Sequence, residues 1–146
     1  MSLQSWADAG WLTAHTSSAQ EVKNLLAVVE RDLQDAAQDL SPDWKLGIAY
    51  NAALRLCTLL LHVSGYRAGR QQHHYRTIQS LPLILGETYK ENADYLDACR
   101  RKRNTVEYDL AGAATNEEAE ELISFATEFR AEVLIWLRKR RPDWVP

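Results

Sequence analysis

Apolar residues recur at steps of three and four along most of the chain, and the breaks between these runs mark out four main helices. Val22, Leu25, Leu26, Val29, Leu33 and Ala36 fall on one helical face. Ser17 and Ser18, followed three residues later by Gln20 and Glu21 respectively, give that helix a capping-box start, and its pattern runs to about Leu40. Ser41-Pro42 supplies an N-cap and a first-position proline for a second helix, with Leu46, Ala49, Ala53, Leu56, Leu60 and Val63 inward. Ala49, Ala52 and Ala53 let a neighbouring helix approach closely. After Gly65 and Gly69, Ile78, Leu81 and Leu85 mark a short helix, which Pro82 bends or confines to a turn or two and Gly86 closes. Thr88 and Glu91 form another capping box and start the helix that carries Tyr95 to Leu110 and ends near Gly112. Asn116 caps the last helix, whose inner stripe is Leu122, Ala126, Phe129, Val133 and Trp136. No stretch alternates with period two. The pattern predicts an all-α fold: an up-and-down bundle of four main helices plus short extra ones. Residues 1–16, with Trp6 and Trp11, form an arm packed on a single domain of residues 17–146.

Composition narrows the functional classes. With 146 residues, 46% hydrophobic and 25% charged, the chain is sized for one domain with its own core. A net charge of −3 supplies no global field for nucleic acid, so any such contact must come from local patches. There are two, Arg100 to Arg103 and Arg138 to Arg141. The second finishes a helix that opens with Glu117, Glu118, Glu120 and Glu121, an arrangement the helix dipole favours at both ends. Cys57 and Cys99 lie inside apolar helical patterns, as reduced buried thiols of a cytoplasmic protein do. No apolar run with the length to span a bilayer and no leader-like N-terminus is expected, so membrane partners are not.

The stretch YLDACRRKRNTVEYDL, residues 95 to 110, carries the candidate chemistry. Leu96, Cys99, Val106 and Leu110 form its apolar seam, yet Arg103 shares that seam where a bundle wants leucine. A guanidinium there must be paired or must border a wet groove. Arg100, Arg101 and Arg103 can hold phosphate, because arginine's planar fork stays charged and pairs with phosphate oxygens two at a time. Asn104 and Tyr108 can position a reacting group. The competing structural role is an ion pair of Arg103 with Glu107 at i,i+4, with the flanking basic residues in solvent. His73 and His74, close to Arg70 and Arg76, can serve as acid/base groups or phosphate ligands, or simply open a helix. No metal site is expected: His15, His62, His73 and His74 show no i,i+4 ligand pair, and the cysteines are remote from them in sequence.

Arg-Lys-Arg-Asn-Thr-Val-Glu-Tyr (101 to 108) resembles the hallmark of HEPN domains, small all-helical modules of prokaryotic toxin–antitoxin and nucleotidyltransferase-associated systems. The Trp-x4-Trp-Leu arm, a first helix bearing Arg31, Asp32 and Asp35, and the Gly-Tyr-Arg…His-His connector extend the likeness over nearly the whole chain. In active members, the resemblance implies, an Arg, a polar residue and a His four positions beyond it work at a dimer interface. They cleave RNA without metal, using the ribose 2′-hydroxyl as nucleophile. Arg103 and Asn104 match the first two positions, whereas Tyr108 stands where the His belongs. A phenol titrates near pH ~10, so Tyr108 is suited to donating a hydrogen bond or stacking on a base rather than to taking a proton. The resemblance therefore implies a homodimer, binding or cleaving RNA or a nucleotide around Arg103, Asn104 and Tyr108, with no cofactor. The alternative it implies is a non-enzymatic partner of a minimal nucleotidyltransferase.

Overall fold

A computed structural model describes residues 1–146. The helices are α1 (Leu3–Asp8), α2 (Ala19–Ala36), α3 (Pro42–Val63), α4 (His73–Gln79), α5 (Leu81–Leu85), α6 (Lys90–Asn104) and α7 (Asn116–Arg140). The fold is all-α in its layers, with α2, α3, α6 and α7 as the four main helices. α3 is the hub: it packs along α2 on one side and α7 on the other, and it also meets α6, α4 and α5. Because partners cover it on nearly every side, α3 is apolar nearly all round. Ala49, Tyr50, Ala52, Ala53, Leu56, Leu59 and Leu60 are all fully buried. Contrary to the expectation that no run would reach it, α3 alone has the length and hydropathy of a membrane span, because a helix enclosed by partners is apolar all round; more than half of it lies inside the bundle.

The predicted inner faces are largely those observed. Val22, Leu26, Val29 and Ala36 of α2 and Leu122, Ala126, Phe129 and Val133 of α7 are buried. On α7, Leu137 takes the deepest position at the end of the stripe, and Trp136 is only half-buried against the core. Cys57 and Cys99 are free and buried.

Helix boundaries differ from the sequence pattern where backbone geometry overrides periodicity. α2 stops at Ala36, short of Leu40, because the chain must reach the extended conformation of Ser41, whose hydroxyl accepts from the Trp44 N–H to cap α3. The Thr88/Glu91 capping box is not formed. The chain enters α6 through a 3-10 turn, Glu87–Tyr89, with no side-chain cap. The cap of α7 is Thr115, one residue before Asn116, and it makes the full reciprocal box with Glu118. α6 does not run on to Gly112: after Asn104 it opens into a π-helical turn, Thr105–Asp109, closed by the Leu110 N–H donating to the Thr105 carbonyl. Leu110, expected in the apolar seam, is exposed.

The arm supplies one strand of the one strand pair. β1 (Leu12–Ala14) lies antiparallel to β2 (Tyr66–Ala68), with Leu12 opposite Ala68. Three-residue strands are too short to display alternation, which is why the pattern predicts none. Trp6, Leu12, Ala68 and Leu61 of α3 form a small second core beneath the arm.

The loop before α7 is tied back to the start of α3. Asp43 accepts from the Gly112 N–H at 2.6 Å and from the Ala114 N–H at 3.2 Å. Asp43→Ala should lower the unfolding free energy by about 1–2 kcal/mol, the loss of two hydrogen bonds to an ionised acceptor discounted for exposure. Urea titration measures this. An unchanged midpoint would mean that the loop holds its shape without Asp43.

Candidate anion-binding cleft

Arg100 and Arg103 are one helical turn apart on α6, so they share a face, and that face meets α4. α4 starts abruptly. Gln72 adopts a left-handed conformation (φ 54°), costly for a residue with a Cβ, and His73 follows at once as the first helical residue. The reversal sets His73, His74 and Arg76 opposite Arg100, Arg103 and Asn104 around an open cleft of about 850 Å³. Gln72 and Tyr75 complete the lining, which includes no carboxylate.

Each guanidinium is held differently. The Arg100 Nε donates to Asp97 at 2.8 Å, and its charge lies 5.8 Å from the Tyr75 ring centre. Arg76 has no carboxylate partner. It stacks on Trp11 at 3.6 Å from the ring centre, with Trp6 at 5.9 Å, so its position comes from cation–π contact and its charge stays uncompensated. Arg103, in its core-seam position, is 20% exposed. Its guanidinium lies 5.6 Å from the ring centre of Tyr50. The Nε is 3.1 Å from a Glu107 oxygen but finds no aligned hydrogen-bond acceptor, so this pair is a Coulombic contact only. The expected i,i+4 ion pair is therefore present, and it leaves hydrogen-bonding capacity of Arg103 unspent.

The floor of the cleft is polar where α3 meets α4. The fully buried Tyr50 hydroxyl lies 3.3 Å from Nδ1 of His74. Burial pushes the Tyr50 phenol well above its ordinary range, so it remains protonated. His74 is pushed the other way: burial first, then the charges of His73, Arg103 and Arg100, hold it below the usual imidazole value. At neutral pH the cleft thus combines fixed guanidinium charge with an uncharged imidazole whose Nε2 is not engaged by Tyr50.

Of the predicted site residues, Arg100, Arg103, Asn104, His73 and His74 come together here. Arg101 does not: it is exposed and lies 3.5 Å from Asp97 on the outer side of α6. Tyr108 does not either. The π-helical turn carries it to the α3 side of the molecule, where it is 75% exposed beside a groove lined by Asp43, Trp44, Gly47, Ile48 and Asn51. The pattern gave no role to Arg76, Tyr75 or Tyr50. Arg76 is legible in hindsight, one turn beyond His73 on the same short helix, but its Trp11 platform comes from the arm, far away in sequence.

The depressed His74 fixes the sign of one pH effect. The unfolded chain binds a proton near pH ~6.5 while the native cleft, with His73, Arg100, Arg103 and Tyr50 facing the ring, resists it. This contribution to stability is complete above that pH and is lost as pH falls through it. Thermal unfolding at pH values from 7.5 to 5.5 should show a decline on acidification that His74→Phe makes shallower. Millimolar phosphate should oppose the decline, because a bound anion favours the imidazolium. An acid slope that His74→Phe leaves intact would contradict the assignment.

The chain matches no protein-family model, no curated protein and no solved structure.

Proposed function

We propose that this chain is a HEPN-like module that binds single-stranded RNA through the cleft between α4 and α6, with phosphate oxygens as the groups held. The observation that carries the reading is the convergence of Arg76, Arg100 and Arg103 on one open cavity that no carboxylate lines. Arg103 has donors to spare, and Arg76 presents a charge held in place by stacking alone. Both suit a phosphodiester, which offers paired oxygens to a planar fork. Asn104 adds an amide beside them, and Tyr75 supplies an aromatic face on which a base can stack. Since the chain as a whole is acidic, attraction must be local and the number of phosphates engaged small.

Cleavage is the stronger form of this reading, and within the cleft it falls to His74. Its neutral imidazole would take the proton of a ribose 2′-hydroxyl while Arg103 neutralises charge growing on the phosphate. One observation favours the alternative, a non-enzymatic partner of a nucleotidyltransferase: Tyr108, at the position the family uses for its histidine, lies outside the cleft.

Anisotropy titration of a labelled oligoribonucleotide should give a log K against log salt slope of about −2, as three neutralised phosphates on a single strand require. Arg103→Ala should weaken binding about tenfold or more, the loss of a charge-assisted contact worth about 1.5–3 kcal/mol. Arg76→Ala should act alike, and Tyr108→Phe should change nothing. Salt-insensitive binding, or binding indifferent to Arg103→Ala, overturns the proposal. Incubation with RNA in EDTA separates its two forms. Cleavage abolished by His74→Ala identifies an enzyme, whereas tight binding without cleavage identifies a binding partner.

A second copy of the chain is the partner we propose for the adjacent face. Trp44, 69% exposed, and Tyr108 stand with Ile48 along two adjoining grooves, the second lined also by exposed Leu40. Apolar surface gathered in this way marks an interface. This face borders Glu107, which pairs with Arg103, so dimerisation here would bring two clefts near one another. Light scattering should give twice the chain mass, reverting to the single mass in Trp44→Glu. A monomer at high micromolar concentration would refute it.

A further inference from the structure

His15, Glu21 and His62 are widely separated in sequence, and the fold brings their polar ends to one point. His15 follows β1, and its N–H donates to the Gly65 carbonyl at 2.9 Å. Glu21 lies in the first turn of α2 and His62 in the last turn of α3. Nε2 of His15 is 2.9 and 3.0 Å from the two Glu21 oxygens, and Nδ1 of His62 is 2.5 Å from one of them. The two imidazole rings lie 4.0 Å apart between centres, tilted by 37°. One donor atom from each of the three residues falls within 4.8 Å of the other two.

Glu21 has given up an alternative partner to be there. Its position, three residues after Ser18, is that of a reciprocal capping box. Ser18 does accept from the Glu21 N–H, but the Glu21 carboxylate does not return the bond and turns to the imidazoles instead. The complete boxes at Ser2 and Thr115 show what the ordinary arrangement looks like in this chain. All three side chains are partly buried, so each has lost some of its hydration already.

From this geometry we infer that His15, Glu21 and His62 form a binding site for one divalent transition-metal ion, zinc above all. Two imidazoles and a carboxylate are donors that zinc accepts and that calcium and magnesium, which take oxygen ligands, do not favour. Tetrahedral zinc lies about 2.0–2.1 Å from each donor, which sets donor–donor separations of roughly 3.3 Å. To admit it, the His15–Glu21 contacts need to open by about 0.3–0.4 Å and the His62–Glu21 contact by about 0.8 Å. Zinc takes the place of the N–H protons now shared with the carboxylate. An imidazole bound to the ion carries its proton on the outward nitrogen, Nδ1 of His15 and Nε2 of His62. Three protein donors leave a fourth position for water, so the ion is exchangeable and open to solvent on one side.

The site is independent of the RNA reading, and its test does not involve RNA. The full chain, freed of metal by chelator and dialysed, is titrated calorimetrically with zinc at pH 7.5. It should bind one ion per chain, and its thermal transition should rise with zinc. Cobalt in place of zinc should give the visible absorption of a low-symmetry nitrogen and oxygen site. Glu21→Gln, which preserves shape, and His15→Ala, at the edge of the fold, should each lower the affinity tenfold or more and abolish the thermal shift. The cobalt spectrum of the unsubstituted chain gives a readout that does not depend on whether any variant folds. Absence of zinc and cobalt binding, or binding that both variants leave unchanged, overturns the assignment.

Discussion

A guanidinium placed in the seam of a helical bundle has to be compensated, and the candidate cleft is built around that requirement at Arg103. Buried alone, the charge would cost several kcal/mol. The fold answers with the Tyr50 ring on one side, the Glu107 carboxylate on another and an opening to solvent on a third. Tyr50 is central to this because it is the point where α3, α4 and α6 touch chemically. Its ring lies near Arg103 and its hydroxyl meets His74, while the side chain itself is completely enclosed. The hub helix therefore does more than fill the core: it sets the floor on which the polar groups of two other helices are arranged.

Electrostatics in the cleft follow from that arrangement. Three guanidiniums are opposed by two carboxylates, Asp97 and Glu107, that flank the cavity without lining it. Burial first, then the charges of His73, Arg103 and Arg100, holds His74 below the usual imidazole value, and the imbalance makes an incoming anion the natural way to satisfy the remaining donors. Arg76 shows why aromatic support matters here. A carboxylate would have fixed its position and cancelled its charge, whereas Trp11 fixes its position and leaves the charge available.

The four main helices and most of their inner faces were readable from spacing, since a 3.6-residue period over long segments is the most robust signal a chain carries. Ser41-Pro42 was read correctly because an N-cap and a first-position proline act locally. Tyr108 and Leu110 were misplaced for the opposite reason. Nothing in TVEYD announces a π-helical turn, and once the turn widens, every later residue leaves the face that helical counting assigns to it. The convergence of Arg100, Arg103 and Asn104 was legible, being a matter of one helical turn. That His73 and His74 face them was suggested by proximity to basic residues but rests on the packing of α4 against α6, a long-range fact. The His15, Glu21 and His62 cluster was invisible, because its members come from three elements and none is a helical neighbour of another.

The arm links these features physically. β1 pairs with β2, which leads out of α3 and into the segment ending at Gln72 and α4. On one side of this small sheet Trp11 holds Arg76 at the cleft, and at its end His15 is pinned to Gly65 within reach of Glu21 and His62. An unsupported arginine side chain would otherwise sample many rotamers, at an entropy cost of roughly 1.5–2 kcal/mol when it is finally ordered. Because the strand pair and the Trp6–Leu12–Leu61–Ala68 core settle the arm in advance, that ordering is complete before any ligand arrives. The sixteen residues that precede the bundle are in this sense part of its chemistry, since both polar clusters take one of their fixed points from them.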